Sequence, residues 1–168
     1  VRRFILIFIL LVYGCGYRPS SSYTPKTLGD RVYIEVEVSL SDPENSVLIR
    51  DTITKAIYTR LKSVTATKKR AKSTIRVKYR DIKFIPLEYN RNGYVVHYQA
   101  DVILDFTFER EKRSVKKRLV GRYDFPIRPS AIISTSLRFK AIEEGSKKAL
   151  DEFIAYLGTL GLLHEELW

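Results

Sequence analysis

The chain has 168 residues, 45% apolar and 29% charged, with eight Gly and six Pro. That is the composition of one globular domain, and it excludes whole-chain disorder and collagen-like or linker-like sequences. Thirty Lys and Arg against 19 Asp and Glu give a net charge of +11. One Cys excludes an internal disulfide framework and a Cys-rich zinc site, and two His far apart leave little for a metal site or a His-based catalytic cluster.

The first segment stands apart from the rest. Arg2 and Arg3 precede the apolar run Phe4 to Tyr13, which ends at Gly14 and Cys15. A spanning helix needs about 20 apolar residues, so this shorter run fits the h-region of a signal peptide. Val12-Tyr13-Gly14-Cys15 resembles the lipobox of bacterial lipoproteins, although Val and Tyr are less usual at their two positions. The resemblance implies cleavage before Cys15 and covalent acyl chains on Cys15, with no other cofactor. Such chains hold a protein at a membrane surface, each buried CH₂ contributing roughly 0.8 kcal/mol. Gly16 follows where Asp would resemble an inner-membrane retention signal, so the resemblance implies an outer-membrane address. The expected organisation is a signal peptide over 1–14, the lipidated Cys and a flexible tether over 15–30, an α+β domain over 31–160 and a tail over 161–168.

Within the domain, Val32, Ile34, Val36 and Val38 alternate with Tyr33, Glu35 and Glu37, which predicts a half-buried strand. Asp42, Pro43 and Glu44 form a helix start: a cap, a residue suited to the first helical position and an acid at the positive end of the dipole. Val47, Leu48, Ile53, Ala56, Ile57 and Leu61 then recur at helical spacing. A polar loop over 63–72 carries Lys68, Lys69 and Arg70. The second strand, about 73–87, points Ile75, Val77 and Tyr79 one way and Arg76, Lys78 and Arg80 the other. Its phase then slips to Ile82 and Phe84, which predicts a β-bulge near Arg80-Asp81. Asn92-Gly93 marks a hairpin turn.

The third strand alternates cleanly over 94–109, about 50 Å at 3.3 Å per residue. Its polar face carries His97, Asp101, Asp105 and Glu109. The fourth points Val115, Leu119, Tyr123 and Phe125 inward and Lys116, Arg118 and Arg122 outward, and ends at Pro126 and Pro129. A closing helix runs from Ile133 or Ser136 to Leu157, with Leu137, Ile142, Ala149, Leu150, Phe153, Ile154 and Leu157 as its stripe and Gly158 as its C′ residue. The order β-α-β-β-β-α predicts an α+β two-layer sandwich: a four-stranded, mostly antiparallel sheet with two helices on one face. One sheet face and at least one edge stay uncovered, and one pairing through the helix is open to being parallel.

The charge is uneven. Residues 62–83 hold nine Lys and Arg against one acid, and 110–122 hold seven against one. The partner of such blocks is anionic. In an envelope compartment the available polyanions are phosphorylated glycolipid and anionic lipid headgroups rather than nucleic acid; a solvated basic face reads the same way in sequence.

Cys15-Gly16-Tyr17-Arg18, the strand–helix unit from Val32, the three long strands and the closing helix near SLRFKAIEEGSKKALDEFIAYL together resemble the LptE family of lipopolysaccharide-assembly lipoproteins. The resemblance covers nearly all of 15–168 and rests on architecture and length. It implies an outer-membrane, periplasm-facing lipoprotein that sits one-to-one inside the lumen of the large β-barrel LptD, helps that barrel assemble and binds lipopolysaccharide during its delivery. The expected anion-facing residues are Arg76, Lys78, Arg80, Lys116, Arg118 and Arg122, with the loop set Lys68, Lys69 and Arg70 as the alternative. Contact of the same cations with acidic lumen groups of the barrel would look identical in sequence.

An enzyme is not expected. Asp101 and Asp105 lie about 13 Å apart along one strand face, too far for a retaining carboxylate pair. Ser134 and Ser136 have no neighbouring His in sequence, and the chain carries no nucleophile elbow, P-loop or dinucleotide fingerprint. Two readings remain beside the plug: a membrane-tethered periplasmic ligand-binding or secretion-complex lipoprotein without a barrel partner, and an inner-membrane-retained adaptor that binds anionic phospholipid.

Overall fold

The computed structural model describes residues 31–39, 42–61, 64–111, 113–128 and 132–165. The signal segment, Cys15, the tether, Pro129 and the end of the tail lie outside the described residues.

The element order is β1 (Arg31–Glu37), α1 (Pro43–Leu61), β2 (Val64–Thr65), β3 (Ser73–Tyr89), β4 (Val95–Arg110), β5 (Arg113–Pro126) and α2 (Thr135–Glu165). The sheet order is β2-β1-β3-β4-β5. β1 pairs in parallel with both β2 and β3, while β3–β4 and β4–β5 are antiparallel hairpins. The α+β class and the β-α-β-β-β-α order hold. The difference is β2, a two-residue strand inside the segment read as a loop, too short for alternation to reveal it.

The sandwich forms because both helices bury their apolar stripes against one sheet face. Val32, Ile75, Val77, Val102, Leu104, Phe106, Phe108 and Leu119 meet Ile49, Ile53 and Ile57 of α1 and Ile142, Leu150, Phe153 and Leu157 of α2 in one cluster. A second cluster of Ala100, Phe125 and Ala141, flanked by Phe84, Tyr98 and Tyr123, lies under the start of α2.

α1 begins as its sequence dictates. The Asp42 carboxylate accepts a long 3.4 Å hydrogen bond from the Asn45 backbone N–H and a 2.7 Å bond from the Asn45 side chain. Tyr79 of β3 donates its hydroxyl to the same carboxylate at 2.9 Å, tying the helix start to the sheet. Burial works to raise the Asp42 carboxyl, but these bonds and the Arg138 charge outweigh it and hold the group below its ordinary value. Burial, with Asp42 alongside, pushes the Tyr79 phenol up. The stripe of α1 holds at Ile53, Ala56 and Ile57, which are buried, and at Leu48, which packs against the core; it differs in its first turns, where Ser46, Ile49 and Thr52 are also buried and Val47 is 38% exposed. Asn45 and Thr52 fill the edges of the stripe, so polarity hid its true phase.

The bulge is where the slipped alternation put it, with the β3–β4 register shifting between Tyr79 and Asp81. Asn90 closes the β3–β4 turn by accepting from the Asn92 and Tyr94 backbone N–H groups at 3.0 and 2.9 Å, and Gly93 adopts φ +81°. α2 does not stop at Gly158. It continues to Glu165, because Leu157 and Leu160 still pack on the core and hold the helix past the glycine.

Candidate functional site

The face of the sheet opposite the helices carries the candidate site. The register makes it a ladder of alternating charge. β1 presents Glu35 and Glu37, β3 presents Arg76 and Lys78, β4 presents Asp101, Asp105 and Glu109, and β5 presents Lys116, Arg118 and Arg122. One row runs Glu35–Arg76–Thr107–Lys116, the next Glu37–Lys78–Asp105–Arg118, and a third places Lys83 and Arg122 on either side of Asp101. Opposite charges on neighbouring strands are the favourable cross-strand arrangement.

The ion pairs follow the ladder. Arg76 reaches Glu35 at 3.1 Å and Glu109 at 3.4 Å, and Lys78 reaches Glu37 at 3.0 Å. Asp105 accepts from Arg118 Nε at 2.7 Å and also from Arg80, so one carboxylate joins β3, β4 and β5. Arg122 stands 3.8 Å from Asp101. The Arg118 hydrogen bond, with Arg80 alongside, holds the Asp105 carboxyl below its ordinary value against the opposing effect of burial. Asp101 and Asp105, too far apart along the strand to act as a carboxylate pair, are thus each engaged by arginine.

All six expected anion-facing residues lie on this one face, five of them already facing a carboxylate. Lys116 makes no ion pair with another described residue. A shallow depression of 520 Å³ runs between Arg76, Lys78, Arg80, Lys116 and Arg118. The side chains of Arg118 and Arg122 are 64% and 65% exposed, against 32% for Arg76. These β5 cations are therefore the more accessible, and Arg76 of β3 is held between two carboxylates. The alternative set, Lys68, Lys69 and Arg70, lies elsewhere, in a turn at one end of the sheet, with the Arg70 and Ala71 N–H groups donating to the Thr67 carbonyl. The acids that neutralise the ladder are visible in sequence as the polar faces of two strands. What sequence does not reveal is the cross-strand register that sets them between the cations.

Asp105 gives this site a pH signature. Its folded pKa lies below its ordinary value of 3.8, so its contribution to stability is full above that value and is lost as pH falls through the folded pKa. Asp105→Asn is expected to destabilise the domain by about 1–2 kcal/mol at neutral pH, since two arginines lose their shared partner. The gap to the parent chain should close on acidification below the folded pKa. Urea midpoints for both proteins across acid and neutral pH read this directly; a gap that persists unchanged in acid contradicts the pairing.

No family model matches the chain, and no curated protein matches it. Among solved structures, the chain is similar to rare lipoprotein B from Shewanella oneidensis, with 17% identity, TM-score 0.53, and coverage of 79% of this chain and 98% of that one. It is also similar to an uncharacterized lipoprotein B from Nitrosomonas europaea, with 14% identity, TM-score 0.54, and coverage of 80% and 88%. The shared property is the fold: the same two-layer α+β sandwich, spanning nearly the whole of the first relative.

Proposed function

We propose that this chain is a lipid-anchored outer-membrane lipoprotein of the LptE type, a binding and structural component that plugs and helps assemble an LptD-type β-barrel and binds lipopolysaccharide during its delivery to the outer leaflet. The observation that carries the reading is the fold shared with rare lipoprotein B along 98% of that chain. The lipobox-like Val12-Tyr13-Gly14-Cys15 supports the anchor. The open sheet face supports the plug, because the lumen of an outer-membrane barrel is polar and a domain inside it needs a polar exterior that does not collapse onto itself. In the charge ladder every one of the six cations except Lys116 has an acid beside it, which gives that face polarity without a large single-signed field.

Glycolipid phosphates would bind first at the β5 rim. Arg118 and Arg122 offer planar forks for bidentate contact, and Lys116 is an uncommitted point charge. Arg118 also holds Asp105, so the cleaner test leaves it in place. Lys116→Glu with Arg122→Glu is expected to weaken lipopolysaccharide binding by roughly tenfold at low salt, with a smaller salt dependence. Binding unchanged in this double variant would show that the β5 rim does not hold the glycolipid phosphates. The anchor is tested by mass spectrometry of the N-terminal peptide of the mature protein: acyl chains on Cys15 are expected, and a bare thiol contradicts the lipoprotein reading.

A further inference from the structure

The second concentration of positive charge sits at the end of the sheet where the chain arrives from Cys15. Arg31 opens β1, and the Lys72 N–H donates to its carbonyl at 3.0 Å. In the next row Val32 faces Ser73, Ser73 faces Arg110, and Arg110 faces Arg113. The turn holding Lys68, Lys69 and Arg70 projects beside this row, and all three side chains are exposed. Among the described side chains of this row, Glu109 holds Arg76, and Glu111 lies 3.9 Å from Arg110. Lys68, Lys69, Arg70, Arg31 and Arg113 make no ion pair with another described residue, in contrast to the paired cations of the open face.

The opposite end differs in kind. The turn from Asn90 to Tyr94 carries one cation, Arg91, with Leu87, Tyr89 and Tyr94 exposed around it, and one more exposed cation, Arg128, follows β5 at this end, where the Ile127 N–H donates to the Val96 carbonyl. Charge is therefore polarised along the length of the sheet, which β4 alone extends to about 50 Å.

We propose that the basic end is a membrane-surface contact, binding anionic phospholipid headgroups beside the anchor and standing the sheet with that end against the bilayer. The inference rests on the anchor part of the functional reading and is independent of the barrel. From Cys15 to Arg31 the chain spans at most about 55 Å, enough for either end of the sheet to reach the surface. An anchor alone does not choose between them. Juxtamembrane basic clusters are drawn to anionic leaflets, and the attraction falls off within about a Debye length. Among the described residues such a cluster lies at the basic end, so charge sets the orientation that the anchor leaves open.

The test uses full-length chain in vesicles of phosphatidylcholine, with or without phosphatidylglycerol, carrying a headgroup-attached quencher. A fluorophore is placed at Thr67→Cys in the basic turn or at Asn92→Cys in the opposite one. With phosphatidylglycerol at low salt, quenching at position 67 should exceed that at 92 by at least about twofold, and the gap should shrink at high salt. It should also shrink when Lys68, Lys69 and Arg70 are replaced by Glu, with the circular dichroism spectrum unchanged. Equal quenching at the two positions, or a gap indifferent to lipid charge and to the reversal, overturns the proposal. The Cys15 peptide mass separates the two readings: a bare thiol on a vesicle-bound chain overturns the lipid anchor while the quenching gap still decides the orientation. A chain that stays free of both vesicle types overturns both.

Discussion

Gly121→Ala is expected to destabilise the domain by about 3 kcal/mol or more, and Gly121→Val to leave no folded protein to isolate. Gly121 lies on the inner face of β5, where α2 crosses the sheet. A Cβ there would lie 1.7 Å from the Gly145 carbonyl oxygen and 2.8 Å from the Ala149 nitrogen. Both obstacles are helix backbone, which cannot rotate aside as a side chain does. Relief requires α2 to lift, and lifting it separates Ala141, Ile142, Ala149 and Phe153 from the sheet, each fully buried. Gly145 is the other half of the contact, since a Cβ on it would meet Val102 Cγ2 at 2.6 Å. Gly93→Ala is the control: its φ of +81° disfavours Ala by about 1 kcal/mol, but nothing occupies the space. Urea denaturation followed by circular dichroism orders the variants. A Gly121→Ala protein with the parent midpoint would contradict the close crossing.

Phe153→Ala is the second large effect, expected to cost about 3–5 kcal/mol, a large part of the 5–15 kcal/mol that holds a typical domain together. The Phe153 ring stacks on Phe106 of β4 with centroids 4.5 Å apart and planes 16° apart, and both rings are fully buried. Truncation leaves a cavity between α2 and the sheet, walled by strands that pair on both sides and cannot collapse into it. Tyr58→Ala, which removes a ring 67% exposed on α1, should change the midpoint little. Equal effects from the two substitutions would show that the helix–sheet interface is not where the core lies.

Much of this was legible in the sequence, for physical reasons that also mark where it stopped. Alternation along 94–109 placed β4 and its buried face because a strand with one face in the core must keep period two. The phase slip after Arg80 located a bulge, since one extra residue exchanges the faces. Gly158 misled because a glycine ends a helix only where nothing beyond it is anchored, and Leu160 still packs on the core. The close crossing at Gly121 and Gly145 was invisible: each glycine is unremarked locally, and only the register of helix over strand brings the two backbones together. The candidate site was half legible. Its six cations were read from the polar faces of β3 and β5, and its acids from those of β1 and β4. That these faces interleave, acid between base, depends on the order β1-β3-β4-β5 and on residue-by-residue register, neither of which a single strand records.

We propose a barrel partner for this lipid-anchored plug. It is tested most directly by purifying tagged full-length chain from its own host's membranes in mild detergent and identifying what co-elutes by mass spectrometry. A large outer-membrane β-barrel at one-to-one stoichiometry is the expected result. A clean monomer, acylated on Cys15 and free of any barrel, would contradict the plug and leave a membrane-tethered periplasmic ligand-binding lipoprotein in its place.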